Sequence, residues 1–338
     1  MTSNDRSGIL AAGHWIVDHV KVIEAWPEQD SLVSIVSQSS GNGGCAYNVL
    51  KNLSKLDGAF PLEGVGLIGD DADGRAILDD CAACGISTSR LRVSDAYSTS
   101  YTDVMTVAEG GRRTFFHQRG ANAFLREDHI RVDDSDAKFF LLGYLALLDT
   151  LDEIGSDGRT GASRVFEAAS QAGFVTLADL VSSHTGDFPA MIGPSLPWID
   201  WLFLNEFEAA KLVGGLMPQA DDRDGLLALA ADVLRLGVRR GVFLHSARAA
   251  FYVGRDGVAE SQGCVNVPRE LIQGTAGAGD AFASGCILAL HEERPIRACL
   301  ELGVAAAACS LRDPSCSRAI PSADECLSFA KTHGFSEL

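Results

Sequence analysis

The stretch GTAGAGDAF at 274–282 sets three glycines and two alanines ahead of Asp280, where a helical run over 281–291 opens; Pro295 follows its end. A helix N-terminus presents unpaired N–H groups and about half a positive charge. Gly277, Ala278 and Gly279 carry no side chain large enough to block an anion, so their amides read as a phosphate cradle. Asp280 does not suit phosphate binding, because an ionised carboxylate repels it. It suits the opposite role, which is to take the proton from a hydroxyl that attacks the phosphate. Plain capping of the helix is the other role open to it.

Two better-known glycine loops compete for this reading. A Walker A loop has the right glycine separation at Gly274 and Gly279. It fails because Asp280 and Ala281 stand where lysine and Ser/Thr belong. The stretch GVGLIG at 64–69 fits G-x-G-x-x-G, but Asp70, Asp71 and Asp73 follow where a pyrophosphate would dock. That repulsion argues against nicotinamide or flavin binding.

A second constellation lies at NEFEAAKLVG (205–214), directly after the strand-like WLFLN. Asn205 and Glu208 are three residues apart in the first turn of a helix, so both can face one cleft. Hard oxygen ligands of this kind suit Mg²⁺ held through water. A helix cap with an acidic first turn is the alternative.

These residues must be carried by a scaffold, and the chain alternates strand and helix signals from about residue 60. Apolar runs at 62–69, 137–147, 174–180, 198–205 and 240–246 read as buried strands. Helical patterns fall at 73–85, 161–173 and 224–237. The alternation implies βαβ units, a mostly parallel sheet and helices on both faces. Two more polar, alternating regions break it, 14–42 and 97–119, the second with a hairpin signal at Glu109-Gly110-Gly111. They read as a small antiparallel sheet standing off the main domain, either a flap over a cleft or an ordinary edge hairpin.

The chain has 338 residues, 46% hydrophobic and 22% charged, with a formal net charge of −17. It can bury a sizeable core, and its acidity argues against nucleic acid or an anionic membrane as partner. No run reaches the length of a membrane span. The nine cysteines and the polar first eight residues read as reduced thiols in a cytoplasmic protein without a secretory leader. Cys81-x-x-Cys84 has no second pair and reads as two small residues on a helix.

Taken together, these motifs resemble the ribokinase-like, or PfkB, family of carbohydrate kinases. GTAGAGDAFASG (274–285) is similar to the family's second signature. GGCAYNVLKNLSKLDG (43–58) is similar to the first, with Val49 and Leu50 around its alanine position, and GLIGDDADG (66–74) to its glycine-aspartate segment. The resemblance implies a three-layer αβα sandwich with a small β-sheet lid. It implies one kinase domain over 8–330, with the lid inserted at 14–42 and 97–119. It implies ATP and Mg²⁺, Asp280 as base, and Gly277, Ala278 and Gly279 as the anion hole. Asp18, Gly43, Gly44, Asn48 and Asn122 would hold the sugar. Asn205, His245, Ser246, Thr275, Gly277 and Gly279 would line the nucleotide site, and Asn205 and Glu208 would hold the metal through water. It also implies a homodimer through the lid.

Two departures stand out, and one cluster of arginines bears on the substrate. Gly274 occupies the place of a frequent aspartate, which puts monovalent-cation activation in doubt. His245 replaces a glycine beside the expected nucleotide. Arg112, Arg113 and Arg119 near the lid point to an acidic or phosphorylated acceptor, or are simply solvated. The expected activity is ATP-dependent phosphorylation of a sugar hydroxyl. A nucleoside acceptor, or a sensor that binds without turnover, are the alternatives.

Overall fold

Period-2 burial organises the strands. Ile9 and Ala11 face one core while Leu10 and Ala12 face the other, and Phe139/Leu141 and Phe140/Leu142 divide in the same way. A strand buried on both faces needs helices on both sides, which the intervening amphipathic segments supply. The computed structural model describes residues 6–110, 112–183 and 186–338.

Among these residues the strands are β1 (Ile9–Ala12), β2 (Ile16–Ile23), β3 (Ile35–Gly43), β4 (Leu62–Gly69), β5 (Ser87–Ser94), β6 (Ser100–Val107), β7 (Arg113–Gln118), β8 (Phe139–Leu145), β9 (Val175–Leu180), β10 (Trp201–Asn205), β11 (Gly241–His245), β12 (Ala249–Gly254) and β13 (Ala259–Gly263). The helices are α1 (Cys45–Lys55), α2 (Ala72–Ala83), α3 (Asp149–Asp152), α4 (Gly161–Gln171), α5 (Phe188–Ile192), α6 (Glu206–Val213), α7 (Arg223–Arg235), α8 (Ala278–His291), α9 (Ile296–Ser310) and α10 (Ala323–His333).

The main sheet runs β13-β12-β11-β10-β9-β8-β1-β4-β5. It is parallel from β5 through β11, and β12 and β13 extend it antiparallel. One face packs on α1, α2, α8, α9 and α10, the other on α4 to α7. This is the three-layer sandwich expected from the sequence.

A second sheet, β3-β2-β6-β7, stands apart. The sequence predicts an antiparallel sheet here, and that needs correction: β2 and β6 pair parallel along their whole length, from Ile16↔Ser100 to Ile23↔Val107. The reason lies in the main sheet. β2 continues from β1 and β6 from β5 through short connections, and β1, β4 and β5 are mutually parallel. Strands that leave the sheet together enter the second one in the same direction. The β6–β7 hairpin forms as its turn signal predicts; Gly111 of that turn lies outside the described residues.

The nucleotide-fold decoy at 64–69 also resolves. Gly64 and Gly66 lie inside β4 under the Trp15 indole, and a Cβ added at either would collide with the ring. These glycines admit Trp15 rather than a phosphate. Asp71 caps α2 through the Gly74 N–H. Cys81 is buried and Cys84 caps the end of α2, and burial pushes both thiols up, Cys81 to about 12. Raised thiols of this kind do not favour the reactive thiolate. No helix among the described residues is long and apolar enough to cross a membrane.

Candidate active site

The parallel strands end in the order that builds the site. Tyr144 comes from the end of β8, Asp179 from β9, Asn205 from β10 and His245 from β11, so all sit at the carboxyl edge where α/β sheets place their clefts. Two helices start there as well. α8 begins at Ala278, three residues earlier than expected, because Gly277 takes a left-handed cap with φ 75° and the Ala281 N–H donates to the Gly277 carbonyl at 2.8 Å. The early start puts Ala278, Gly279 and Asp280 in the first turn. Their N–H groups lack intrahelical acceptors.

Asp280 is buried. Its Oδ2 accepts from Asn48 Nδ2 and from the Tyr144 hydroxyl, each at 2.8 Å. Its Oδ1 is enclosed and has no hydrogen-bond partner. Burial raises the proton affinity of the carboxyl, and the Asn48, Tyr144 and Cys45 donors partly oppose that rise. Asp280, Asp179 and Cys45 bring ligand atoms within 4.8 Å of one another, and Cys45 Sγ donates to Asp179 Oδ2 at 3.5 Å. Burial first and the neighbouring Asp280 charge second push the Asp179 carboxyl far up. Two enclosed carboxyls this close do not ionise together without cost.

The first signature supplies the facing wall. Asn48 bridges the site, accepting from Asn42 Nδ2 at 2.7 Å while it donates to Asp280, and Asn42 also donates to Ser317 at 2.8 Å. Gly43 lets Asp18 approach: a Cβ there would stand 2.5 Å from Asp18 Oδ1. Gly44 fits against the His14 carbonyl, also at 2.5 Å. Burial pushes the Asp18 carboxyl up to about 7, against hydrogen bonds from Cys316 and Thr102. Asp18, Gly43, Gly44, Asn48 and Asp280 thus meet at one place. Asn122 does not join them. Its amide brackets the Trp15 backbone, accepting from the Trp15 N–H at 3.3 Å and donating to the Trp15 carbonyl at 3.2 Å.

On the other side of the glycine loop lies a cavity of about 640 Å³, bordered by Asn205, His245, Ser246, Thr275 and Gly279 with Phe282 on its apolar wall. Its size and mixed lining suit a nucleotide. Burial pushes His245 down to about 4, so the imidazole is neutral. The Ser246 hydroxyl closes its own turn with Ala249.

Asn205 and Glu208 form a reciprocal cap on α6, each donating through its backbone N–H to the other's side chain at 2.9 Å. Glu208 Oε1 also accepts from Ser182 and from Asn205 Nδ2. Burial raises Glu208 to about 7. Its oxygens and the Asn205 amide oxygen therefore all accept protein hydrogen bonds. The donor set fits Mg²⁺ held through its water shell rather than by direct ligation.

Several residues of this centre were assigned no role from the sequence: Tyr144, Asp179 and Asn42, and Cys45, which lies within the first signature. Tyr144 carries φ 57° and Ala146 φ 72°. Such strained non-glycine backbone is the kind that clusters at working sites. A signal existed in the position of Tyr144 and Asp179 at the ends of core strands.

A sheet-edge cleft holding an enclosed carboxylate, a glycine cradle and a nucleotide-sized cavity defines a phosphotransferase acting on a hydroxyl. The chain belongs to the pfkB family of carbohydrate kinases, which it matches over residues 8–323. It is similar to an ATP-dependent ribose-1-phosphate kinase of Halopiger xanaduensis, 26% identical across 95% of this chain and 97% of that one. It is similar to adenosine kinase 2 of Arabidopsis thaliana, 23% identical across 82% of this chain and 80% of the other. Its fold matches the structure of Arabidopsis thaliana ribokinase complexed with ribose and ATP, with TM-score 0.80 and 22% identity over 96% of this chain and 99% of that one. The protein is a carbohydrate kinase by family and ribokinase-like in fold.

Proposed function

We propose that the protein transfers the γ-phosphate of ATP to a hydroxyl of a small sugar or sugar-like compound, with Asp280 taking the hydroxyl proton. The observation that carries this is the enclosed, unpartnered Oδ1 of Asp280 beside the α8 N-terminus. A buried acceptor without a donor costs free energy until a hydroxyl fills the gap. Oδ2, held by Asn48 and Tyr144, fixes the direction in which Oδ1 points.

In this reading Asp18 and the Gly43-Gly44 turn orient the acceptor, and Asn122 acts indirectly by bracing the strand before Asp18. The amides of Gly277, Ala278 and Gly279 bind the phosphoryl oxygens as charge shifts during transfer. Thr275, His245 and Ser246 border the nucleotide. Mg²⁺, held through water by Asn205 and Glu208, neutralises the phosphates. The β3-β2-β6-β7 sheet acts as a lid over the domain spanning 8–330 and excludes water on closure. Its exposed Ile35, Val36 and Phe116 support a homodimer through that sheet.

A nucleoside acceptor is the second reading. Phe115 pairs with Val104, on the face of the lid that carries Asp18 and Thr102, and its ring is 56% exposed. The ring is free to stack a base.

The test is ADP formation from ATP with pentose, sugar phosphate and nucleoside acceptors, in wild type and Asp280→Asn. Loss of a proton acceptor lowers kcat by roughly 10²- to 10⁴-fold, with ATP binding retained. Acceptor-stimulated turnover that survives the change refutes the assignment of Asp280. Ligand binding without turnover in wild type favours a sensor.

A further inference from the structure

The proposed transfer needs no thiol, yet Cys45 places one at its centre. Cys45 is the first residue of α1, and the fold makes room for its sulfur: a Cβ on Gly143 of β8 would stand 2.1 Å from Sγ. The sulfur sits between two carboxyls. It donates to Asp179 Oδ2 at 3.5 Å, and it also acts on Asp280, whose proton affinity it lowers. Cys45, Asp179 and Asp280 are 0%, 5% and 3% exposed. One ligand atom from each lies within 4.8 Å of the other two, and among the described residues no other three His, Cys, Asp or Glu side chains meet in this way.

The group is incomplete as a hydrogen-bonded cluster. Asp280 Oδ1 is enclosed and has no partner. Burial pushes both carboxyls up, and among the described residues no Lys, Arg or His pairs with either. Enclosed acids without a counter-charge are costly, and a divalent cation that ligates all three atoms removes that cost. The donor set selects the ion. A thiolate beside carboxylates suits zinc and other thiophilic ions, whereas Mg²⁺ takes oxygen ligands and keeps its water. Zinc bonds of roughly 2.0–2.3 Å set tetrahedral ligands roughly 3.5 Å apart, a spacing that Cys45 and Asp179 already have. Three protein ligands leave a fourth position open. Asn48 and Tyr144 hold the Asp280 carboxylate by hydrogen bonds, as outer groups do for metal ligands.

We propose that Cys45, Asp179 and Asp280 form a binding site for zinc or another thiophilic divalent cation, and that filling it stops phosphoryl transfer. The binding stands by itself. The inhibition rests on the kinase reading above, since the ion takes the carboxylate that the acceptor hydroxyl needs. On binding, the Cys45 thiol gives its proton to solvent and its sulfur bonds the metal; no electron is transferred.

Co²⁺ is the probe, added to tag-free full-length protein, because thiolate ligation gives cobalt a charge-transfer band in the near ultraviolet. Wild type takes up one equivalent with that band and releases at least one proton per ion. Cys45→Ser loses the band, and Asp179→Asn weakens binding by at least about tenfold. Cys81→Ser with Cys84→Ser, which removes the C-x-x-C thiols, keeps the band. Zinc displaces the cobalt. At fixed Mg·ATP it abolishes ADP formation over the same concentration range, and more acceptor shifts that range upward. Circular dichroism establishes that each variant is folded. A folded wild type without the band overturns the site, as does a band that survives Cys45→Ser or vanishes with Cys81→Ser and Cys84→Ser. Should Cys45→Ser not fold, unchanged affinity in Asp179→Asn overturns the site. If the band follows Cys45 but no acceptor supports turnover, the kinase reading falls and the metal site stands. If turnover is normal and zinc at saturation leaves it intact, the inhibition is overturned.

Discussion

Replacing Tyr144 by Phe tests how the site sets Asp280, the base of the proposed transfer. The Tyr144 hydroxyl donates to Asp280 Oδ2 at 2.8 Å, and Asn48 supplies the other donor at the same distance. Both favour the charged carboxylate against a burial cost that raises its proton affinity. A hydrogen bond to a charged group contributes about 1.5–3 kcal/mol, or roughly one to two pKa units at about 1.36 kcal/mol per unit. Removing the hydroxyl therefore raises the Asp280 pKa further. The base must be deprotonated to act, so the acidic limb of the kcat–pH profile moves upward by about one unit or more. On the acidic side of that limb the variant is about tenfold slower for each pH unit by which the limb has moved, and at high pH it recovers. Phe keeps the ring, including its tilted contact with His14 at 5.7 Å, so the fold is preserved. The assay is ADP release with saturating acceptor across the pH range. A limb that stays in place, or moves down, in a folded variant refutes the role given to Tyr144. Because Asp179 shares the enclosure through Cys45, the limb reports the coupled pair rather than one carboxyl.

Glu208→Gln addresses stability. The folded value of Glu208 is raised from 4.5 to about 7, so the stability linked to its protonated form is present below about pH 4.5 and is lost as pH rises through about 7. The difference corresponds to about 3 kcal/mol. The expected result in calorimetry is a Tm–pH curve for the variant that declines less over this window than wild type, and parallel curves count against the burial argument. Gly277→Ala places a side chain at φ 75° and a Cβ 2.6 Å from Cys316 Cβ. It destabilises the protein by about 1–3 kcal/mol in urea unfolding and lowers turnover through displacement of the first α8 amides. Wild-type stability and turnover together would exclude this account of the loop.

The fold was legible because its carriers are local. Core strands show as apolar runs, and helices stop at glycines such as Gly173 and Gly214. The cradle and Asp280 were legible because glycine spacing and one carboxylate lie within a single turn. Asn205 and Glu208 were legible as a pair, but the pattern of a cap and the pattern of a metal site coincide at three-residue spacing, and only the structure reveals how fully the cap uses their oxygens. The roles of Tyr144, Cys45 and Asp179 were not legible. Tyr144 and Cys45 lie 136 and 235 positions from Asp280 in sequence, and their role depends on how β8, β9 and α1 converge. The parallel pair of the second sheet was missed for a related reason: alternation identifies a strand but carries no direction, which the main sheet imposes.

The wall around Asp280 is assembled from backbone that tolerates no added carbon. Gly43 meets Asp18, Gly44 meets His14, Gly143 meets the Cys45 sulfur and Gly277 meets Cys316, each closer than a Cβ allows. Such a wall does not drift one substitution at a time, since each step collides before it can be useful. The second sheet is different, with Phe115 half open and Arg113 reaching across to the Gln273 carbonyl at the end of a flexible stem. Substitutions near the site are therefore accommodated more readily on the second sheet than in the wall beneath it.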